Sequence, residues 1–332
     1  MLKKTILSGI QPSGNLCIGN YLGALKQWGK LQNEYESIFL VVDLHALTVD
    51  QKPSELRNRC LSYVAQYIAC GINPDDSKIL IQSHVHQHTE LMWVLSTLTY
   101  LGELNRMTQF KDKSQKIKNI NSGLYTYPIL MASDILLYQA DLVPVGSDQK
   151  QHLELARDLA ARFNNKYSET FTVPEPYIPS SGSRIMSLQD PLSKMSKSDE
   201  NLNNIIALLD ENKVIKKKIN RSVTDSGSEI IFDEENKPGI SNLFNIYNAL
   251  TSDSIELIQD RYKGKMYSVF KNDLSDLIID LLSPIRSEYN KLIDDKNYLL
   301  KILKDGSDYA TNKANKTLSN VYKKVGLLNN EN

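Results

Sequence analysis

The sequence predicts an α/β chain: a doubly wound parallel sheet in the first half, then a helical region. Three observations carry this. Short apolar runs rich in β-branched residues alternate with helix-period segments up to about residue 170. A glycine-rich turn joins the first such run to the first helix. After about residue 202 the periodicity is helical, with no further run that reads as a parallel strand.

Thr5-Ile-Leu opens the chain as a short apolar run that ends at Gly9. Ile38–Val42 is continuously apolar, as a strand buried on both faces should be. Lys78–Gln82 and Asp141–Gly146 look similar, and Pro144 makes the latter short or puts it at a strand end. Helices are expected over about 20–34, 54–70, 89–101 and 148–165. In the second of these, Ser54 is the expected cap of an apolar ladder, Leu56, Cys60, Leu61, Val64, Tyr67 and Ile68. Pro174, Pro176 and Pro179, followed by Ser180-Ser-Gly-Ser183, read as a linker. Gly239, Gly264, Pro284 and Gly306 punctuate the helical region, and a last helix is expected over about 309–326. The boundaries are then a first domain over 1–186 with a helical insertion at about 89–126, a helical domain over 187–308, and a C-terminal helix within 309–332.

Composition narrows the function classes. The 332 residues are 41% hydrophobic and 23% charged, which excludes a disordered or collagen-like chain. Lys plus Arg and Asp plus Glu are both 39, so a general polyanion coat is excluded, although local basic patches are not. Cys17, Cys60 and Cys70 form no CxxC pair, which points to a reducing, cytoplasmic setting. The first residues have no apolar core of a signal peptide, and no apolar stretch approaches the ~20 residues of a membrane span.

Two motifs suit phosphate. Gly9-Ile-Gln-Pro-Ser-Gly14, with Cys17-Ile-Gly-Asn20 opening the first helix, brings backbone N–H groups and a helix N-terminus toward a ligand. Lys194-Met-Ser-Lys-Ser198 sets two lysines and two hydroxyls on one loop, a donor set for a triphosphate. Each alone is also what an ordinary βα turn or a solvated loop looks like.

In this order, with Ile18–Ala24, Val42–Ala46, Tyr127–Tyr138, Val143–His152 and Lys237-Pro-Gly-Ile-Ser-Asn242, they resemble the class I aminoacyl-tRNA synthetases over nearly the whole chain. Within that family the sequence is most similar to the bacterial-type tryptophanyl branch. The resemblance implies a Rossmann-like catalytic domain, a helical anticodon-binding domain and a two-step reaction. Tryptophan's carboxylate attacks the α-phosphorus of ATP, and the tryptophanyl group then passes to the terminal adenosine of tRNA(Trp). It implies ATP with Mg²⁺ as substrate, no permanently bound cofactor, and a homodimer.

The resemblance assigns ATP to Gln11, Pro12, Ser13, Gly19, Asn20, Gly146, Ser147, Asp148, Ile185, Lys194, Met195, Ser196, Lys197 and Ser198. Lys194, Lys197 and Lys113 are the expected cations on the developing phosphate charge. Cys17 departs from the usual Thr or Ser and offers a weaker donor. Tryptophan is assigned to Gly9, His45, Tyr127, Met131, Asp134, Val143, Val145 and Gln149. Indole has one N–H on a large apolar body, so its pocket needs one buried acceptor, and Asp134 in an apolar helical run fits. An acid there is also consistent with a helix cap. His45 is read either as a ligand contact or as a satisfied histidine after a strand. Leu7 stands where the family often has an aromatic residue.

Two basic clusters are candidate tRNA contacts: Arg106, Lys111, Lys113, Lys116 and Lys118, and Lys213, Lys216, Lys217, Lys218 and Arg221. His84, His86 and His88 alternate as metal ligands on a strand would, but nothing completes a closed zinc site, so they are read as polar residues at a strand end. No metal site is expected. The competing readings are a tyrosyl-tRNA synthetase, another nucleotidyltransferase with related motifs, and a non-catalytic RNA-binding regulator.

Overall fold

The computed structural model describes residues 3–114, 119–146, 149–178, 184–227 and 229–328, without the side chains of residues 112 and 113. Lys113, as a side chain, and Lys116, Lys118, Ser147 and Asp148 therefore lie outside the described residues.

Strand β1 (Thr5–Ile10) leads through α1 (Ile18–Asn20) and a π-helical turn (Tyr21–Leu25) into α2 (Lys26–Glu34). β2 (Glu36–Val41), α3 (Asp43–Ala46), α4 (Pro53–Ala69) and β3 (Ser77–Ile81) follow. Next come α5 (Gln87–Ser96), α6 (Leu101–Asn105), α7 (Thr108–Ser114) and α8 (Ser122–Leu136), then β4 (Leu142–Pro144), α9 (Lys150–Lys166) and β5 (Glu175–Tyr177). Beyond a bridged hairpin that pairs Met186 with Lys194, the elements are α10 (Asn212–Asn220), α11 (Pro238–Thr251), α12 (Ile255–Tyr262), α13 (Tyr267–Asp294) and α14 (Lys296–Val325).

The described strands form one parallel sheet in the order β3-β2-β1-β4-β5. Strand order reverses at β1, so the crevice between the carboxyl ends of β1 and β4 is where such a sheet binds ligands. Both faces are covered, which is why β2 reads as an unbroken apolar run. Phe39 and Val41 join the core formed with α2, α4 and α10–α13. Ile38 and Leu40 join the core formed with α5, α8, α9 and α14. The core of the helical region is thus continuous with one face of the sheet.

Four local readings change. The proline-rich segment holds β5, an edge strand that accommodates Pro176 because one of its sides is unpaired. Helix α4 starts at Pro53, so Lys52 is its cap and Ser54 lies in the first turn. Pro284 lies inside α13, and Gly306 inside α14, so neither is punctuation. A Cβ at Gly306 would lie 2.1 Å from the carbonyl oxygen of Ile79. That glycine lets α14 cross directly on the backbone of edge strand β3. The last helix accordingly begins at Lys296, well before residue 309.

Candidate active site

A cavity of about 300 Å³ opens at the carboxyl ends of β1 and β4. All eight residues expected around the amino acid line it: Gly9, His45, Tyr127, Met131, Asp134, Val143, Val145 and Gln149. Leu7, Gln11 and Lys197 line it as well. Each arrives for a local reason. Strand β1 brings Gly9, where a Cβ would press within 3.0–3.3 Å of Val42 and Leu40. Helix α8, capped by Asn121 accepting from the N–H of Leu124 at 2.8 Å, carries Tyr127, Met131 and Asp134 on one face. Asp134 stands near the end of α8, so it caps nothing.

Asp134 is buried, and its carboxylate accepts three hydrogen bonds. His45 Nε2 donates to Oδ2 at 2.8 Å, while Gln82 Nε2 at 2.7 Å and His88 Nδ1 at 2.6 Å donate to Oδ1. Burial opposes ionisation, but the bonds from His45 and His88 outweigh it and hold the carboxyl well below the usual range. Asp134 is therefore an ionised acceptor in a largely apolar wall. His88 also meets the hydroxyl of Tyr138 at 2.8 Å. Tyr127 places its hydroxyl 2.9 Å from His152 Nε2 and 3.3 Å from Gln109 Oε1, and burial pushes its phenol up.

The histidine triplet does not sit on a strand. His84 ends a single turn, Gln82–His84, and His88 lies in the first turn of α5. His84 and His86 face outward while His88 is fully buried. His88 belongs to the Asp134 cluster, a role its alternating pattern does not reveal. Gln82 and Tyr138 carry no sequence signal beyond their places at a strand end and in an apolar run.

The glycine-rich turn and the lysine–serine loop close on each other. The N–H of Asn15 donates to the carbonyl of Lys197 at 3.0 Å. Gly14 has φ +65°, and a Cβ there would lie 1.9 Å from that same carbonyl oxygen. Tyr63 donates to the carbonyl of Ser13 at 2.8 Å, and Arg59 to that of Pro12 at 3.3 Å. Lys197 Nζ donates to the carbonyl of Gln11 and lies 5.3 Å from the centre of the Tyr63 ring. Burial there lowers its pKa to about 7. Met195 is buried and donates through its N–H to the carbonyl of Ile185 at 3.0 Å, whereas Lys194, Ser196 and Ser198 are exposed. Asn242, the last residue of the Lys237–Asn242 motif, holds both the N–H of Met186 at 2.8 Å and its carbonyl at 2.9 Å. It clamps the hairpin that carries the loop.

Gly19 and Asn20 lie in α1. Asn20 Oδ1 accepts from the N–H of Cys17 at 3.0 Å and from its thiol at 3.2 Å. Cys17 is fully buried, burial pushes its thiol up, and the thiol is turned inward onto Asn20. Gly146 follows β4 and is exposed. Among the basic clusters, Lys218 is buried in an ion pair with Asp210 at 2.6 Å, and Lys216 pairs with Asp276 at 2.9 Å. Lys218 is therefore structural, which its place in a basic run disguises. Among the described residues no group of three or more His, Cys, Asp and Glu side chains could hold a metal ion.

Residues 3–283 match the family model described as tRNA synthetases class I (W and Y). The chain is 55% identical to the tryptophan–tRNA ligase of Clostridium tetani, over 98% of this chain and 96% of that one. It is 53% identical to that of Clostridium acetobutylicum, over 98% of each. The crystal structure of tryptophanyl-tRNA synthetase from Mycoplasma pneumoniae superposes with a TM-score of 0.89 at 36% identity, covering 99% of both chains. The enzyme from Campylobacter jejuni, complexed with ADP and tryptophan, superposes at 0.84 and 36% identity, covering 97% of this chain and 100% of that one. With a Rossmann-like sheet, a glycine-rich turn and a lysine–serine loop closed on each other and a likeness that runs the length of the chain, the protein belongs to the class I tRNA synthetases of the tryptophan and tyrosine group.

Proposed function

We infer that the chain is a tryptophan–tRNA ligase. It activates L-tryptophan with ATP to tryptophanyl-adenylate and pyrophosphate, then transfers the tryptophanyl group to the terminal adenosine of tRNA(Trp). The observation that carries this is Asp134: an ionised carboxylate in a cavity whose apolar wall includes Leu7, Met131, Val143 and Val145. Indole supplies the one N–H that such a carboxylate needs and the flat apolar body that the walls need. A ring without a donor leaves the acid unpaired, so phenylalanine is rejected strongly.

The chemistry requires no protein nucleophile. An oxygen of tryptophan's carboxylate attacks the α-phosphorus, and the bond to the bridging oxygen breaks to release pyrophosphate. The protein's part is alignment and cationic stabilisation of the charge on the departing phosphates. Lys194 and Lys197 supply the cations from the lysine–serine loop, and Lys113 joins them on the resemblance. Gln11, Pro12, Ser13, Gly19, Asn20, Gly146, Ser147, Asp148, Ile185, Met195, Ser196 and Ser198 form the nucleotide side. Tyr127 and Gln149 suit the α-ammonium. Mg²⁺ enters with ATP on the triphosphate, and no resident cofactor is needed.

The region over 187–308, followed by the C-terminal helix, is assigned to the anticodon end of tRNA(Trp), with the exposed Lys213, Lys217 and Arg221 available to phosphates. A homodimer fits the apolar surface of Trp93, Tyr100 and Leu101, each more than 60% exposed, which a second copy of the chain would cover. No helix among the described residues is long and apolar enough to cross a membrane. Three free, buried cysteines suit a reducing cytoplasm. The test is amino-acid-dependent ATP–pyrophosphate exchange with a panel of amino acids. Tryptophan alone should drive exchange; exchange driven by tyrosine, or by none, overturns the assignment.

A further inference from the structure

A carboxylate offers about four lone-pair positions. In Asp134 three are filled: two on Oδ1, by Gln82 and His88, and one on Oδ2, by His45. The position that remains is on Oδ2. Since the carboxylate is ionised, Nδ1 of His88 carries the hydrogen that it donates. The other ring nitrogen, Nε2, lies 2.8 Å from the hydroxyl of Tyr138. Burial, reinforced by the charge of Asp134, pushes the Tyr138 phenol up, so it keeps its proton and donates it to Nε2. Both residues are fully buried, and the carbonyl of His88 is tied in turn to Ser133 Oγ at 2.6 Å. Neither lines the cavity.

We propose that His88 and Tyr138 are positioning residues for amino-acid selection: the chain Tyr138 O–H to His88 to Asp134 Oδ1, together with Gln82, saturates that oxygen and turns the vacant lone pair of Oδ2 toward the indole N–H. The proposal rests on the reading of the ligand as tryptophan and of Asp134 as its acceptor. A carboxylate free to rotate would share its vacancies between both oxygens and with water. Held by three donors, it presents one acceptor in one direction, which is what selects for a single ring N–H.

The test uses β-(3-benzothienyl)alanine, in which sulfur replaces the indole N–H. The readout is the ratio of its inhibition constant to the KM for tryptophan in pyrophosphate exchange. The wild-type ratio should be about 10- to 100-fold, as for a hydrogen bond to a charged group. His88→Leu should bring it within about threefold of unity, chiefly by raising the KM for tryptophan. Tyr138→Phe should give an intermediate ratio, and His88→Asn, whose amide nitrogen can stand near Nδ1, should restore most of it. If His88→Leu folds poorly, Tyr138→Phe and His88→Asn decide the matter. A wild-type ratio retained in Tyr138→Phe and in His88→Leu overturns the proposal, as does an equal loss for both ligands. A wild-type ratio of unity instead removes Asp134 as the indole acceptor, and the proposal with it.

Discussion

Replacing Gly14 by alanine tests whether the glycine-rich turn seats the Lys194–Ser198 loop. Two effects are separable. With φ at +65°, any L side chain there costs about 1–2 kcal/mol of backbone strain. A new Cβ would also lie 1.9 Å from the Lys197 carbonyl oxygen, 2.6 Å from its carbon and 3.0 Å from the Cα of Ser198. These are backbone atoms and cannot rotate aside, so the loop must retreat by roughly 1 Å, a displacement that costs about 100-fold where a catalytic group is misplaced. The expected result in pyrophosphate exchange is a fall in kcat of about 100-fold, with the tryptophan KM changed less than threefold. The thermal midpoint should fall by only a few degrees. Gly14→Asn separates the two effects. Asparagine tolerates the left-handed conformation, so most of the strain goes while the Cβ stays. It should be as inactive as the alanine variant. Exchange within threefold of wild type in Gly14→Asn would refute the reasoning, because it would mean the loop reaches the phosphates without that seat.

Lys197, with its pKa lowered to about 7 by burial, is largely neutral at pH 8 in the free protein. A triphosphate beside it restores the charged form, so ATP binding at pH 8 should take up roughly 0.9 proton. Calorimetry in buffers of different ionisation enthalpy measures this, and a buffer-independent enthalpy counts against it. The sign also sets the resting loop. The unfolded chain binds the Lys197 proton up to about pH 10.5 and the folded one only up to about pH 7, so docking of this loop strengthens as pH rises between those values. Lys197→Ala should abolish the proton uptake and cut the activation rate, while tryptophan affinity measured without ATP stays near wild type. Asp134→Asn should weaken discrimination against phenylalanine by about tenfold or more, since the amide neither carries the charge nor accepts from both histidines. Competition by phenylalanine in the exchange assay reads this, and an unchanged ratio removes Asp134 from the pocket.

Much of the fold was legible because its signals are local. The run of β2 is apolar on both faces since helices cover both faces, and that burial is written into consecutive residues. The motifs were legible for the same reason, as backbone turns and paired lysines need particular residues at particular spacings. β5 was not legible, because Pro174 and Pro176 make an edge strand look like a linker. Gly306 was misread as a break because the reason for a glycine lies across the fold, at the carbonyl of Ile79. His88 looked ordinary because its partners, Asp134 and Tyr138, are 46 and 50 residues away.

The sequence by itself determined the class of machine: a parallel sheet, a glycine-rich turn after β1, a loop with paired lysines and one acid in an apolar helix. These follow from periodicity, conformational demand and chemistry within a few residues. Only the tertiary structure decided how those parts act on one another. It shows that Lys197 tucks under the first loop against Tyr63, that Lys218 is spent on Asp210, and that Asp134 has three of its lone pairs filled. A carboxylate's direction and a lysine's charge are set by groups distant in the chain and adjacent in space, and no local pattern encodes that adjacency.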